Sequence, residues 1–105
     1  MVTHPVRDLD EVVHQRVRLG ILAVLTETKR ADFGFLRTTL ELTDGNLSRH
    51  LQVLEAAGYV AIEKTYERRR PRTWVRATRQ GRTAFAREVA ALRALLDRVD
   101  PDRRA

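Results

Sequence analysis

The sequence predicts a mainly α domain with one small β-hairpin, an α+β fold in a single unit spanning residues 1–105. Three observations predict it. Apolar residues recur at helical spacing as far as Gly58, the period switches to two between Tyr59 and Ala77, and a helical seam returns from Phe85 to Val99. Those two periods, about 3.6 and 2.0 residues, separate helix from strand. A chain of this length buries roughly 60–70% of its unfolded surface, enough for one core. A large two-domain enzyme is excluded.

Asp8-Leu9-Asp10-Glu11 opens the first element. Asp8 and Glu11 have the spacing of a capping box, with Asp in place of Ser or Thr. Leu9, Val13, Val17, Ile21 and Val24 follow at spacings of 4, 4, 4 and 3, a stripe that predicts one helix running to about Thr26. Val12, Leu19, Leu22 and Leu25 make it apolar on two faces, so it needs two packing partners. Lys29-Arg30-Ala31-Asp32 interrupts the pattern. Phe33, Leu36 and Leu40 then mark a short helix of about two turns.

Glu41-Leu42-Thr43 is a tight connection. Thr43 is placed to cap the next helix by accepting from the Asn46 amide. That helix covers about 44–57, with Leu47, Leu51 and Leu54 at i, i+4 and i+7. Gly58 ends it at C′. Tyr59 to Tyr66 alternates, with Val60 and Ile62 on one face, and Thr73 to Ala77 alternates with Val75 and Ala77 inward. They form a hairpin over about 59–78. Its tip, Glu67-Arg68-Arg69-Arg70-Pro71, has no Gly or Asn, so a long basic loop is expected and not a two-residue type I′ turn. Pro71 fits only a loop or an edge. Thr78 caps the last helix, about 79–99, in which Phe85, Val89, Leu92, Leu96 and Val99 form a heptad-like seam before Pro101.

Charge is concentrated. The chain carries +6, yet Lys64 to Arg82 alone carries +7: Lys64, Arg68, Arg69, Arg70, Arg72, Arg76, Arg79 and Arg82 against Glu67. A positive patch on a neutral body points to a polyanion, with nucleic acid foremost. Cysteine is absent, which excludes disulfides, thiolate metal ligands and a cysteine nucleophile. No apolar run approaches the roughly 20 residues of a membrane span, and Met1 to Leu9 lacks the apolar stretch of a secretory signal. No phosphate-cradling Gly loop, Gly-x-Ser-x-Gly, His-Glu-x-x-His or convincing acid pair is present, so no enzyme is expected.

Helix, helix, tight turn, helix, hairpin, helix is the order of a helix-turn-helix with a wing. Leu47-Ser48-Arg49-His50-Leu51-Gln52-Val53-Leu54-Glu55-Ala56-Ala57-Gly58-Tyr59-Val60 resembles the recognition-helix stretch of ArsR- and MarR-like winged-helix regulators. His14 to Leu22 is similar to the first helix of a small MarR-related family. Pro71-Arg72-Thr73 and Thr78-Arg79-Gln80-Gly81-Arg82 resemble its wing return and last-helix start. The resemblance covers about Val13 to Leu96. It departs at Arg16, where a proline is common and whose presence favours an unbroken first helix. It departs also at the wing tip, which lacks the usual glycine, and at Ala77, where a larger aliphatic residue is usual. The resemblance implies a winged helix-turn-helix regulator whose N- and C-terminal helices serve dimerisation.

The residues agree with that reading. Opposite the leucine stripe lie Gly45, Arg49, Gln52 and Ala56, flanked by Ser48 and Val53. Arg pairs bidentately with guanine and Gln with adenine. Thr43, Gly45 and Asn46 stand at the helix N-terminus, where open amides favour a phosphate. His50 borders the leucine stripe and reads as a partly buried edge residue or a phosphate donor. Arg68, Arg69, Arg70 and Arg72 are expected on the backbone or in the minor groove. Tyr66 and Trp74 serve strand packing or, alternatively, stack on nucleic acid. Leu9, Val13, Val17, Leu92, Leu95, Leu96 and Val99 are expected to meet a second copy. His4, His14 and His50 have no ligand spacing, so the metal sites of ArsR-like sensors are not carried over and no cofactor is expected. The expected partners are double-stranded DNA and a second copy of the chain, in a bacterial cytoplasm, with no membrane and no effector ligand named by the residues. Two rivals remain: a sequence-independent, nucleoid-type DNA binder, and a winged helix that docks proteins.

Overall fold

The computed structural model describes residues 4–104. A 3₁₀ turn, Pro5–Asp8, precedes α1 (Arg16–Thr26), β1 (Ala31–Asp32), α2 (Phe33–Thr39), α3 (Asp44–Ala56), β2 (Val60–Glu67), β3 (Arg70–Ala77) and α4 (Arg79–Val99), and a second 3₁₀ turn follows at Pro101–Arg104. The strands form one antiparallel sheet in the order β1-β3-β2. The short β1 pairs Ala31 with Val75 and Asp32 with Trp74. This strand lies where the sequence shows only an interruption, because two residues are too few to display a period.

The first helix is shorter than expected. The segment before it does not continue α1. Asp10 Oδ1 accepts from the amides of Val12 and Val13, and Gln15 Oε1 accepts from those of Val17 and Arg18. Polar side chains that bond nearby backbone amides compete with a helix. Here they divide the stretch in two, and Gln15 becomes the N-cap. Arg16 is therefore the first helical residue, a position where proline is itself well tolerated.

The core forms where α1, α2, α3 and the sheet converge. Ile21, Leu22, Leu25, Leu36, Leu47, Leu54 and Val75 are fully buried, joined by Leu51 and Val60. Each such side chain contributes about 1.5–3 kcal/mol by leaving water. Of the predicted stripe, Val13, Val17 and Ile21 are buried, and Val12, Leu19 and Val24 pack on the core from its margin.

Both ends of α3 follow local rules. Thr43 Oγ1 accepts from Asn46 N at 3.1 Å, as expected. At the other end Gly58 has φ +81°, its amide donates to Glu55 O, and Tyr59 N donates to Leu54 O, the paired bonds of a Schellman stop. Thr78 then joins two helices. Its hydroxyl donates to Gly58 O at 2.6 Å and accepts from Gly81 N at 2.9 Å. A Cβ on Gly81 would lie 1.9 Å from the Tyr59 carbonyl oxygen, so only glycine lets α4 start this close to the end of α3.

The hairpin turn corrects the expected long loop. Glu67 pairs with Arg70, leaving Arg68 and Arg69 as a two-residue turn. Their φ values are 51° and 67°, positive at both central positions as a type I′ turn requires. Only that hand of turn matches the twist of the strands, and it prevails here without Gly or Asn. Pro71 sits within β3, beyond the reach of β1, where that side of the strand is an edge.

Candidate nucleic-acid interface

On α3, Gly45, Ser48, Arg49 and Gln52 are exposed, opposite buried Leu47, Leu51 and Leu54. A Cβ on Gly45 would meet nothing within 4 Å, so no packing inside the chain demands glycine there. Its smallness leaves room on the solvent side, where a phosphate could approach the helix N-terminus. Thr43 is exposed with its hydroxyl engaged in the cap. Asn46 is half-buried. Asp44 beside it is paired with Arg37 at 2.7 Å, which offsets an acid that would repel a phosphate.

His50 does not belong to this face, contrary to its expected place among the DNA-binding residues. It is 9% exposed, and Arg18 Nη1 lies 3.1 Å from its Nδ1. Burial, and then the charges of Arg18 and Arg49, hold its pKa below the ordinary imidazole value, so it is neutral near pH 7. Nδ1 accepts from Arg18, whose Nε donates to Val12 O. His50 thus ties α3 to the start of α1.

The two faces of the hairpin do different work. Val60, Ile62, Lys64 and Tyr66 share one face with Thr73, Val75 and Ala77; Glu63, Thr65 and Glu67 share the other with Arg70, Arg72 and Trp74. The first face is core at its base. Further out it joins Ser48, Gln52 and Glu55 of α3 around one groove, lined also by Lys64 and Thr73. Lys64 was not among the expected contacts, although its shared parity with Ile62 is the signal that reveals it.

Arg68, Arg69 and Arg70 are exposed at the tip and, among the described residues, have no ion-pair partner. Arg72 differs from its expected role as a cation open to DNA. Its Nη2 lies 2.7 Å from Asp32 Oδ2 and its Nη1 2.6 Å from Glu67 Oε2. The Asp32 carboxyl is held below its usual range by the Arg72 hydrogen bond and then by the amide of Phe35. Trp74 packs against two guanidinium groups, with Arg30 3.8 Å and Arg72 4.8 Å from its ring centre, whereas Tyr66 is exposed.

Away from this face, α4 turns Gly81, Glu88 and Ala91 inward. Glu88 is fully buried; it accepts from Asp10 N at 2.8 Å and meets His14 Nδ1 at 2.7 Å. Asp10 in turn accepts from the Tyr59 hydroxyl at 2.9 Å. This junction fastens the N-terminal segment to α4 and to the end of α3. Of the residues expected at a self-interface, Val13 and Val17 are instead buried in the chain's own core, so they offer no surface to a second copy. Leu9, Leu92 and Leu95 are half-buried, and Leu96 and Val99 are 44% and 71% exposed. Among the described residues no three potential ligands gather as a metal would require, and no helix is long and apolar enough to cross a membrane.

An exposed polar helix face beside a basic hairpin, on a three-helix core, is the arrangement by which a helix enters a DNA groove. Residues 17–96 match the family model described as a winged helix DNA-binding domain. The chain belongs to that family. It is 33% identical to an uncharacterised protein of Methanocaldococcus jannaschii over 90 residues, 86% of this chain and 98% of that protein. Its fold matches the solved structure of a transcriptional regulator homologue from Pyrococcus horikoshii with a TM-score of 0.87 and 33% identity, covering 93% of this chain and 99% of that one. A MarR-family transcriptional regulator of Silicibacter pomeroyi shares the fold at TM-score 0.65 and 24% identity, over 91% of this winged-helix chain and 64% of that one. The two relatives at 33% identity are archaeal, so similarity does not single out the expected bacterial source.

Proposed function

We propose that this winged-helix protein is a transcriptional regulator that binds double-stranded DNA sequence-specifically as a homodimer. One observation carries the reading: the exposed face of α3 and the Lys64 side of the wing border a single groove, with Arg68, Arg69 and Arg70 beyond it at the tip. In this reading α3 lies in the major groove. Arg49 pairs with a guanine edge and Gln52 with an adenine edge. The N-terminus of α3 around Gly45 abuts a phosphate, and the tip arginines follow the backbone or enter the minor groove. The homodimer reading is supported by α4, whose 21 residues span about 31 Å and leave Leu96 and Val99 uncovered. Two-fold pairing through its distal half would set two α3 helices about one DNA turn, roughly 34 Å, apart and require a pseudo-palindromic site.

The test is selection of duplexes from a random library by the protein, followed by gel shift against competitor DNA. Arg49→Ala should lose about 1–3 kcal/mol on the selected duplex and far less on random DNA. Equal losses on both would move Arg49 to a phosphate and favour a sequence-independent, nucleoid-type binder. Failure to bind any duplex would leave the protein-docking reading.

A further inference from the structure

We propose that Arg72 is a positioning residue, not a DNA contact: its paired bonds to Asp32 and Glu67, closed over Trp74, set the angle at which the wing meets DNA. The proposal rests on the DNA-binding reading above.

Backbone pairing supports the wing unevenly. β1 ends at Asp32, opposite Trp74, so from Thr73 outward the hairpin is a ribbon of two strands only. Such ribbons twist more freely than wider sheets and have little stability of their own. Arg72 lies two residues beyond Trp74, the last residue that β1 supports, and its side chain reaches back across the gap. The guanidinium fork takes Asp32 Oδ2 at 2.7 Å on one nitrogen and Glu67 Oε2 at 2.6 Å on the other. Asp32 is itself fixed, since its Oδ1 caps α2 by accepting from Phe35 N at 2.7 Å. The connection therefore runs from the start of α2, through Arg72, to the last residue of β2. Trp74 supplies the floor beneath Arg72, and Arg30 stacks on the same indole.

Charge supports the same assignment. Two carboxylates hold the one guanidinium, so Arg72 offers little net attraction to a phosphate. Arg68, Arg69 and Arg70 lie outside this cluster. A planar fork is also what the geometry uses, and a lysine point charge cannot reproduce it.

The test compares Asp32→Asn, Arg72→Lys and the wild type. Asp32→Asn keeps a capping oxygen for α2 and removes one anion beside the DNA face. If Asp32 acted only through its charge, binding to a labelled mixed-sequence duplex would tighten. The latch requires the opposite: Asp32→Asn should bind roughly two- to fivefold more weakly, the range an exposed ion pair can supply, with an unchanged salt slope. Arg72→Lys should weaken binding likewise, although the positive charge is retained. Trp74 is the chain's one tryptophan, so its emission reports the latch directly, and both variants should shift it in the free protein. Tighter binding by Asp32→Asn, or wild-type binding by Arg72→Lys, would overturn the proposal. So would wild-type emission in both variants. A wild-type protein that binds no duplex would sink the DNA reading instead, while the emission arm still judges the latch.

Discussion

The α3 helix and the wing border one groove, but they are held there by opposite means. α3 obeys every local rule. A threonine caps it, a glycine with positive φ stops it, and three leucines bury one face while Arg49 and Gln52 stand on the other. The wing breaks local rules at its tip, where two arginines occupy positive φ. Its outer half has no third strand, and exposed ion pairs replace one. The difference teaches how geometry is divided. A base-reading helix needs a fixed pose, because hydrogen bonds to base edges tolerate little misplacement. A phosphate-following hairpin needs charge at its tip more than an ideal turn, and it can accept backbone strain to have it.

The largest break in this comparison should come from Gly81→Ala. An added Cβ would collide with the Tyr59 carbonyl, separating α4 from the stop of α3. The expected destabilisation is about 3 kcal/mol or more, read from the denaturant midpoint. A change below about 1 kcal/mol would mean that the junction yields and that α3 is less firmly anchored than the wing.

Leu92→Asp with Leu96→Asp comes next. The double variant should sediment as a monomer with its helical content intact, and its affinity for a selected palindrome should fall about a hundredfold or more as the second half-site is lost. Sedimentation of the wild type as a monomer at micromolar concentration would remove the two-fold argument and leave a single α3 and a single wing acting alone.

The smallest effect has two signs. Arg68→Asn with Arg69→Gly gives the turn residues suited to positive φ, so stability should rise by about 1–2 kcal/mol in thermal unfolding. The same change removes two cations, and the log–log salt slope of DNA binding should flatten by about 1–2 units. A gain in stability with an unchanged slope would mean that the tip points away from DNA. The matching change on α3, Thr43→Asn, should leave both quantities nearly unchanged, since that cap is already a preferred one.

Legibility followed the range of the interactions. The bounds of α3, its caps, the hairpin and the start of α4 at Thr78 all depend on residues within a few positions of one another, and the sequence displays them. So does the exposed set Gly45, Ser48, Arg49 and Gln52, which follows from the leucine stripe by helical geometry alone. For His50 the sequence left a partly buried edge residue and a phosphate donor both open, because a borderline angle on the helix becomes burial only when Arg18, 32 residues earlier, closes over it.

By itself, then, the sequence determined the fold class, the order of elements, the face of α3 and the location of the positive charge, because period, capping and turn chemistry act locally. Only the tertiary structure decided the rest. It fastened the segment before the first helix to α4 by setting Glu88 against Asp10 and His14, 78 and 74 residues away. It drew Val13 and Val17 inward from a supposed interface. It forced two arginines into a turn whose hand the strands dictate. It also paired Arg72 with Asp32, brought to it from 40 residues upstream. Each of these depends on which side chains meet after the chain has closed on itself, and no local pattern encodes such a meeting.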